Sequence, residues 1–234
     1  MGAKTVATTR RGHARSAEVA PSPPVMRILS HRGFWRTPEE QNTAAAFAHS
    51  FAQGFGTATD LRDGGRSLVA SHDPADADAP AARELFAWHA CYDRRLTLAL
   101  NIKADGLLPL LTPLLAEFRP ADYFCFDLSV PETRRYLAAG VPIFTRQSDG
   151  ETSPPFLSEA AGIWADAFTD DNWLTPAVIL GHLSARRRVC VVSPELHGRD
   201  PTALWERILH GGLTAAEDLL LCTDRPDAAR NYFA

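Results

Sequence analysis

Two imidazoles, a carboxylate and two cationic side chains recur along the first half of this sequence at positions where short apolar runs end. His31-Arg32 closes the first run, Asp60 the second, and Lys103 a later one, while His72-Asp73 follows a glycine turn. Two histidines flanking a carboxylate can take up and give back protons during one reaction. A guanidinium and an ammonium beside them can hold an anion. The combination suits a hydrolysable anionic group such as a phosphodiester.

These residues can meet only if the chain between them is extended and reversing. The stretch "GFGTATDLRDGGRSLVASHDP", residues 54 to 74, reads as a strand, a turn at Gly64-Gly65 and a returning strand. Alternation along the first strand puts Ala58, Asp60 and Arg62 on one face and Thr57, Thr59 and Leu61 on the other. The returning strand brings His72 back alongside Asp60, and His31, at the end of the neighbouring strand, faces the same rim.

From Met26 onward, apolar runs alternate with amphipathic stretches, as in repeated strand-helix units around a parallel sheet. Eight strand candidates stand out: "RILS", "GTATDL", "LTLALNI", "YFCFDL", "PIFT", "GIWADAF", "RVCVV" and "LLLCT". Helices are predicted over 43–53, 80–91, 106–118, 131–139, 175–187 and 201–210, and the Pro-rich link after the fifth strand, "RQSDGETSPPFLSEA", reads as a loop. The fold class is therefore α/β, a (β/α)8 TIM barrel at the small end of its size range, with a doubly wound open sheet as the alternative. In a barrel, polar residues at strand ends converge on one rim, which adds Asp127, Arg146, Asp166, Glu195, His197 and Asp224 to the candidates. For Asp127 and Asp224 the competing reading is a helix cap in "DLSVPET" and "TDRPDAA". His49, His89, His182 and His210 fall on helices and read as structural. Aromatic residues near the rim, Phe34, Trp35, Trp164, Phe168 and Trp173, could form a wall for an alcohol group or simply seal the barrel.

Composition limits the partners. The 234 residues carry a net charge of −4, with 45% hydrophobic and 22% charged residues, ordinary for one globular domain. Residues 1–25 contain Lys4, Arg10, Arg11 and Arg15 against Glu18, a charge of +3 among Ala, Ser, Thr and Pro, and are expected to be a disordered tail. Residues 26–234 are then at −7 and form the single expected domain, without a basic face for nucleic acid. Lacking an apolar run of membrane-spanning length, the chain is expected to be cytoplasmic, with no stable membrane insertion and a small molecule as partner. Oligomeric state is not legible. Four scattered cysteines, Cys91, Cys125, Cys190 and Cys222, have no metal or disulfide spacing and read as reduced core residues.

"HRG" at 31–33, "QNT" at 41–43, "TATD" at 57–60, "SHDP" at 71–74, "NIK" at 101–103 and "TDRP" at 223–226 resemble the glycerophosphodiester phosphodiesterase family in order and spacing. The resemblance covers residues 28 to about 230. It implies a barrel phosphodiester hydrolase with His31 and His72 as general acid and base and a divalent cation, Mg or Ca, on the phosphate. Arg32, Lys103 and Asn42 would bind phosphate or substrate, and Asp60 and Asn101 would face the metal. The family pattern expects glutamate at three positions where this chain has Gln41, Ala58 and Asn101. Glu195 and Asp166 are candidate replacement ligands. The alternative function is a non-catalytic barrel that binds a phosphorylated ligand.

Overall fold

The computed structural model describes Gly2, residues 26–76 and residues 78–234. The expectation of a disordered tail concerns residues that lie, apart from Gly2, outside those described.

Each predicted run forms a strand. In chain order they are β1 (Arg27–His31), β2 (Gly56–Gly64), its hairpin return β3 (Ser67–Ala70), β4 (Leu98–Ile102), β5 (Tyr123–Phe126), β6 (Phe144–Ser148), β7 (Gly162–Asp166), β8 (Arg188–Val192) and β9 (Leu219–Thr223). Apart from β3, which pairs antiparallel with β2, the strands run parallel in the order β5-β4-β2-β1-β9-β8-β7-β6. Between the outermost two, a parallel bridge joins Cys125 to Ile143, with Cys125 N donating to Pro142 O at 2.9 Å. The result is a nearly closed (β/α)8 barrel, and the open-sheet alternative is set aside.

Among the described residues, seven α-helices cover the outside: α1 (Ala44–Ala52), α2 (Ala82–Tyr92), α3 (Leu108–Phe118), α4 (Val130–Ala138), α5 (Pro176–Ser184), α6 (Thr202–His210) and α7 (Pro226–Tyr232). Hydroxyl side chains start three of them. Thr43, Ser129 and Thr175 each accept from the backbone N–H three residues on, satisfying a donor that the first turn leaves free. Ser129 therefore caps α4, not Asp127, and α7 has no side-chain cap at all. Both aspartates are left for the rim. No helix links β6 to β7, as the adjacent prolines Pro154 and Pro155 predict.

Apolar side chains fill three regions. Inside the barrel lie Leu29, Ala58, Ala99, Phe124, Phe126, Phe144, Trp164, Cys190, Val192, Leu220 and Cys222. Phe124 and Phe144 stack at 3.6 Å across the β5–β6 seam, and Phe126 stacks on Trp164 at 3.9 Å. Two outer clusters bury the helices against the strands. Cys125, Cys190 and Cys222 are buried and Cys91 is exposed, all four as free thiols.

At the N-terminal ends of the strands, Asp122 ties the barrel floor together. It accepts from Arg27 Nη1 at 3.0 Å and Arg188 Nη1 at 2.7 Å, and also from the Thr97 hydroxyl. No helix among the described residues is long and apolar enough to cross a membrane.

Candidate active site

The backbone of β2 mounts its neighbours. Arg32 N donates to Ala58 O at 2.6 Å, Ser71 N to Asp60 O at 3.1 Å and Lys103 N to Leu61 O at 3.0 Å. Three chain segments far apart in sequence are thus fixed around one carboxylate. The hairpin delivers His72 as the alternation and the turn predict, and Arg62 Nη2 holds the His72 carbonyl at 3.0 Å.

Asp60 is buried and surrounded. Arg32 Nε lies 2.9 Å from Oδ2 and Lys103 Nζ lies 3.3 Å from Oδ1, both as ion pairs without the alignment of a hydrogen bond. Asn42 Nδ2 donates to Oδ2 at 3.0 Å, and Asn42 Oδ1 in turn accepts from Thr59 Oγ1 at 2.9 Å. Burial alone would push the Asp60 carboxyl up, but Arg32, Lys103 and Asn42 together hold it below the 3.8 of a free aspartate.

Arg32, Asn42 and Asp127 have φ of 59°, 59° and 60°, a left-handed backbone that costs an L-residue about 1 kcal/mol or more. Gly33 follows at φ 89°, where a Cβ would come within 2.6 Å of Ala46 Cβ. Strained backbone here is tolerated because it aims Arg32 and Asn42 at Asp60.

Above Asp60 opens a cavity of about 290 Å³ at the C-terminal ends of the strands, where barrel chemistry collects. His31, His72, Arg32, Lys103, Asp60, Asn101, Arg146, Asp166 and His197 reach it, with Ala58, Phe126, Trp164 and Phe168 among its apolar surface. A larger cavity, about 450 Å³, lies at the opposite end of the barrel between Met26, Phe55, Thr97 and Arg230. Its Asp93 and Arg95 pair with each other, and it brings no two imidazoles together.

Each histidine on the rim cavity is backed by a carboxylate. His31 Nδ1 is 2.9 Å from Asp224 Oδ1, His72 Nδ1 is 2.9 Å from Asp73 Oδ1, and His197 Nε2 is 2.7 Å from Asp166 Oδ1. A carboxylate accepts, so the bonded nitrogen carries the proton and the other ring nitrogen is left for a ligand. The Asp224 contact is what the cap reading of "TDRPDAA" missed.

Not every expected residue reaches the cavity. Asn42, expected to bind phosphate or substrate, is buried with both amide atoms engaged, so it positions Asp60 and does not line the cavity. Glu195 is turned away: its oxygens accept from Ser193 Oγ, Thr223 Oγ1 and the Asp224 backbone N–H, so it supports Asp224. Asp166 reaches the cavity but is bonded to His197. Conversely, Arg146 was read only as one more strand-end charge. It reaches the wall and is paired with Glu151 and, at 3.3 Å, with Asp127 Oδ1. The bond to Glu151 keeps its guanidinium charged, and burial pushes the Asp127 carboxyl up despite Arg146 and Lys103. Of the rim aromatics, Trp164 and Phe168 face the cavity, while Phe34 and Trp173 pack into an outer cluster and Trp35 Nε1 donates to His31 O at 2.9 Å. Of the four helical histidines, His49, His89 and His182 bond Phe34 O, Leu96 O and Gln147 Oε1, while His210 is exposed at the end of α6.

No family model matches the sequence, and no curated protein matches it. Solved structures do. A glycerophosphodiester phosphodiesterase from Parabacteroides distasonis aligns with a TM-score of 0.67 at 16% identity, covering 91% of this chain and 98% of that one. One from Agrobacterium tumefaciens gives 0.61 at 19%, covering 88% and 99%. An Oleispira antarctica phosphodiesterase, in complex with the product sn-glycerol-3-phosphate, gives 0.63 at 14%, covering 89% and 96%. This chain has the fold of the glycerophosphodiester phosphodiesterases.

The divalent cation that the resemblance to glycerophosphodiester phosphodiesterases implies does not fit the donors present. A hard cation takes six or more oxygens and draws its affinity from carboxylates. Ala58 has no donor. Both Asp60 oxygens face cationic or amide partners, the Asp127 oxygens face Arg146 and the Asn101 amide, and Asp166 faces His197. Asn101 Oδ1, buried without a hydrogen-bond partner, is a single neutral oxygen. Among the described residues, no group of three or more His, Cys, Asp or Glu side chains is placed to hold a metal.

Proposed function

We propose that this protein hydrolyses a small phosphodiester of the glycerophosphodiester type. The observation that supports the reading best is that His31 and His72 line the same cavity as Arg32 and Lys103, each ring held through Nδ1 so that Nε2 can serve a ligand. At about 290 Å³ the cavity suits a phosphate with a small alcohol group.

His31 is the general base. Its Asp224 partner is only 20% exposed, so it holds the ring in one tautomer more firmly than Asp73, 87% exposed, can hold His72. A water molecule forms a bond to phosphorus through its oxygen and gives a proton to His31 Nε2. The bond to the leaving alcohol breaks, and His72, entering protonated and standing toward solvent, donates a proton to the departing alkoxide. Arg32 and Lys103 hold the equatorial phosphate oxygens, the one as a fork and the other as a point charge. Phe168, Trp164 and His197 stand on the wall available to the alcohol. A phosphomonoester and an alcohol leave, as the phosphomonoester bound to the Oleispira antarctica phosphodiesterase suggests by analogy.

Following the conversion of glycerophosphocholine and related diesters by phosphorus NMR tests this directly. The native protein should form a phosphomonoester, and His31→Ala and His72→Ala should each lower kcat by about 100-fold or more. Both variants should melt within a few degrees of the native protein. No turnover of any diester by the native protein would overturn hydrolysis in favour of a barrel that binds a phosphorylated ligand without cleaving it.

A further inference from the structure

We infer that the phosphate site of this barrel is complete without a metal ion, because Arg32 and Lys103, mounted on Asp60, themselves supply the positive charge that receives a phosphoryl group. The inference rests on the proposed phosphate ligand but not on its hydrolysis.

Charge accounting leads to it. Two cations and one carboxylate at this position leave a net charge of +1, since β2 brings only Asp60 of its carboxylates to the cavity, with Ala58 two residues before it, and Asn101 is a neutral amide. Gln41, whose Oε1 accepts from Arg32 Nη1 at 3.0 Å, is neutral as well, so it positions the guanidinium without cancelling it. A divalent cation added here would sit against two fixed positive charges with Asp60 as the nearest carboxylate, since Asp127 is paired with Arg146 and Asp166 with His197. Like charges held a few ångströms apart in a partly enclosed site repel strongly even with solvent screening. A phosphate monoanion or dianion meets the opposite situation and is drawn in.

Geometry agrees with the charge. Asp60 is only 5% exposed in its side chain, whereas Arg32 and Lys103 are each 21% exposed and line the cavity. The carboxylate lies behind the cations and the cations face the ligand. Asp60 then acts as an anchor that fixes two otherwise flexible side chains, so that little entropy is lost when an anion arrives. Arg32 is fixed further by its left-handed backbone and by Gln41. Lys103 has three ammonium protons and a single carboxylate partner, so donors remain for the ligand. The ligand class is a phosphate mono- or diester held by direct contact with the two cations.

Calorimetric titration of the full-length protein with sn-glycerol 3-phosphate, and with inorganic phosphate, in excess EDTA and then in millimolar Mg or Ca, separates the cases. Dissociation constants should agree within about twofold across the three conditions, and titration of Mg or Ca alone should give no binding isotherm. Lys103→Gln should weaken phosphate binding by about tenfold or more, with Lys103→Arg recovering most of it. Binding that requires the cation would overturn the inference, as would a cation isotherm in the absence of phosphate or no phosphate binding in any condition. Set beside the phosphorus NMR assay, phosphate binding in EDTA without turnover would sink the hydrolase reading alone, and cation-dependent binding with turnover would sink this inference alone.

Discussion

Arg32 and Asn42, both in the left-handed region, are joined by a hydrogen bond from Asn42 N to Arg32 O of 2.9 Å, and both side chains end on Asp60 Oδ2. Two strained residues lock one another, and what they hold in place is a buried carboxylate. This explains why an asparagine sits behind the cavity wall: asparagine tolerates positive φ better than most residues and offers both a donor and an acceptor.

Asn42→Ala should therefore cost about 2 to 4 kcal/mol in urea unfolding. It removes the donor to Asp60, leaves the Thr59 hydroxyl without its acceptor, and places alanine in a conformation it disfavours. Asn42→Gly removes the backbone penalty and should be less destabilising than Asn42→Ala. Equal losses for the two would show that the backbone contributes nothing.

Asp60 gives the protein an acid-sensitive element. Its folded pKa is depressed, so its contribution to stability is present above the ordinary aspartate range and is lost as pH falls through the lower folded value. Native protein should lose more stability between pH 6 and pH 3 than Asp60→Asn does, the difference being read as the shift in urea midpoint at each pH. A variant with an acid dependence identical to the native protein would mean that Asp60 is not held ionised by Arg32 and Lys103.

On the barrel floor, Asp122 accepts from Arg27, Arg188 and Thr97, and Arg188 also lies over the Phe124 and Phe144 rings. Removing the carboxylate strands a largely enclosed guanidinium. Asp122→Ala should cost about 2 to 3 kcal/mol. Asp122→Ala/Arg188→Met should recover part of that loss, since the unpaired charge goes with it. No recovery would place the cost elsewhere than in Arg188.

Barrel and hairpin were legible because period-two alternation and Gly64-Gly65 are local signals, and because each apolar run is short enough to be one strand. The same alternation put Ala58 and Asp60 on one face, where both line the cavity. What the sequence did not disclose was which acidic residue each cation and histidine would find. "TDRPDAA" and "DLSVPET" look like helix caps by composition, yet Asp224 is claimed by His31 and Asp127 by Asn101 and Arg146, contacts that depend on strands meeting around a ring. Glu195 was misread for the same reason: nothing local tells that Thr223, on the adjacent strand, will take its oxygen. Helix α7 entered the sequence reading only through the cap suggested by "TDRPDAA", and its range was not legible because it is short and starts without a capping side chain.

Rebuilding the missing carboxylates gives the sharpest contrast. Ala58 is 2% exposed inside the barrel and Asn101 lies opposite Asp60 in the pairing of β2 with β4, so Ala58→Glu/Asn101→Glu places three acidic groups around one point. Without a cation, that cluster should destabilise the fold, since like charges buried together repel. Millimolar Ca should then restore it, because a ligand present at about 100 times its dissociation constant adds about 2.7 kcal/mol, equivalent to a melting shift of about 5 to 10 °C for a chain of this size. The native protein should shift by less than about 1 °C, since it offers the cation too few carboxylate oxygens to bind. Equal Ca-induced shifts in the two proteins, measured by scanning calorimetry, would mean that the native oxygens already bind the cation, and the role of Asp60 as an anchor for Arg32 and Lys103 would fall.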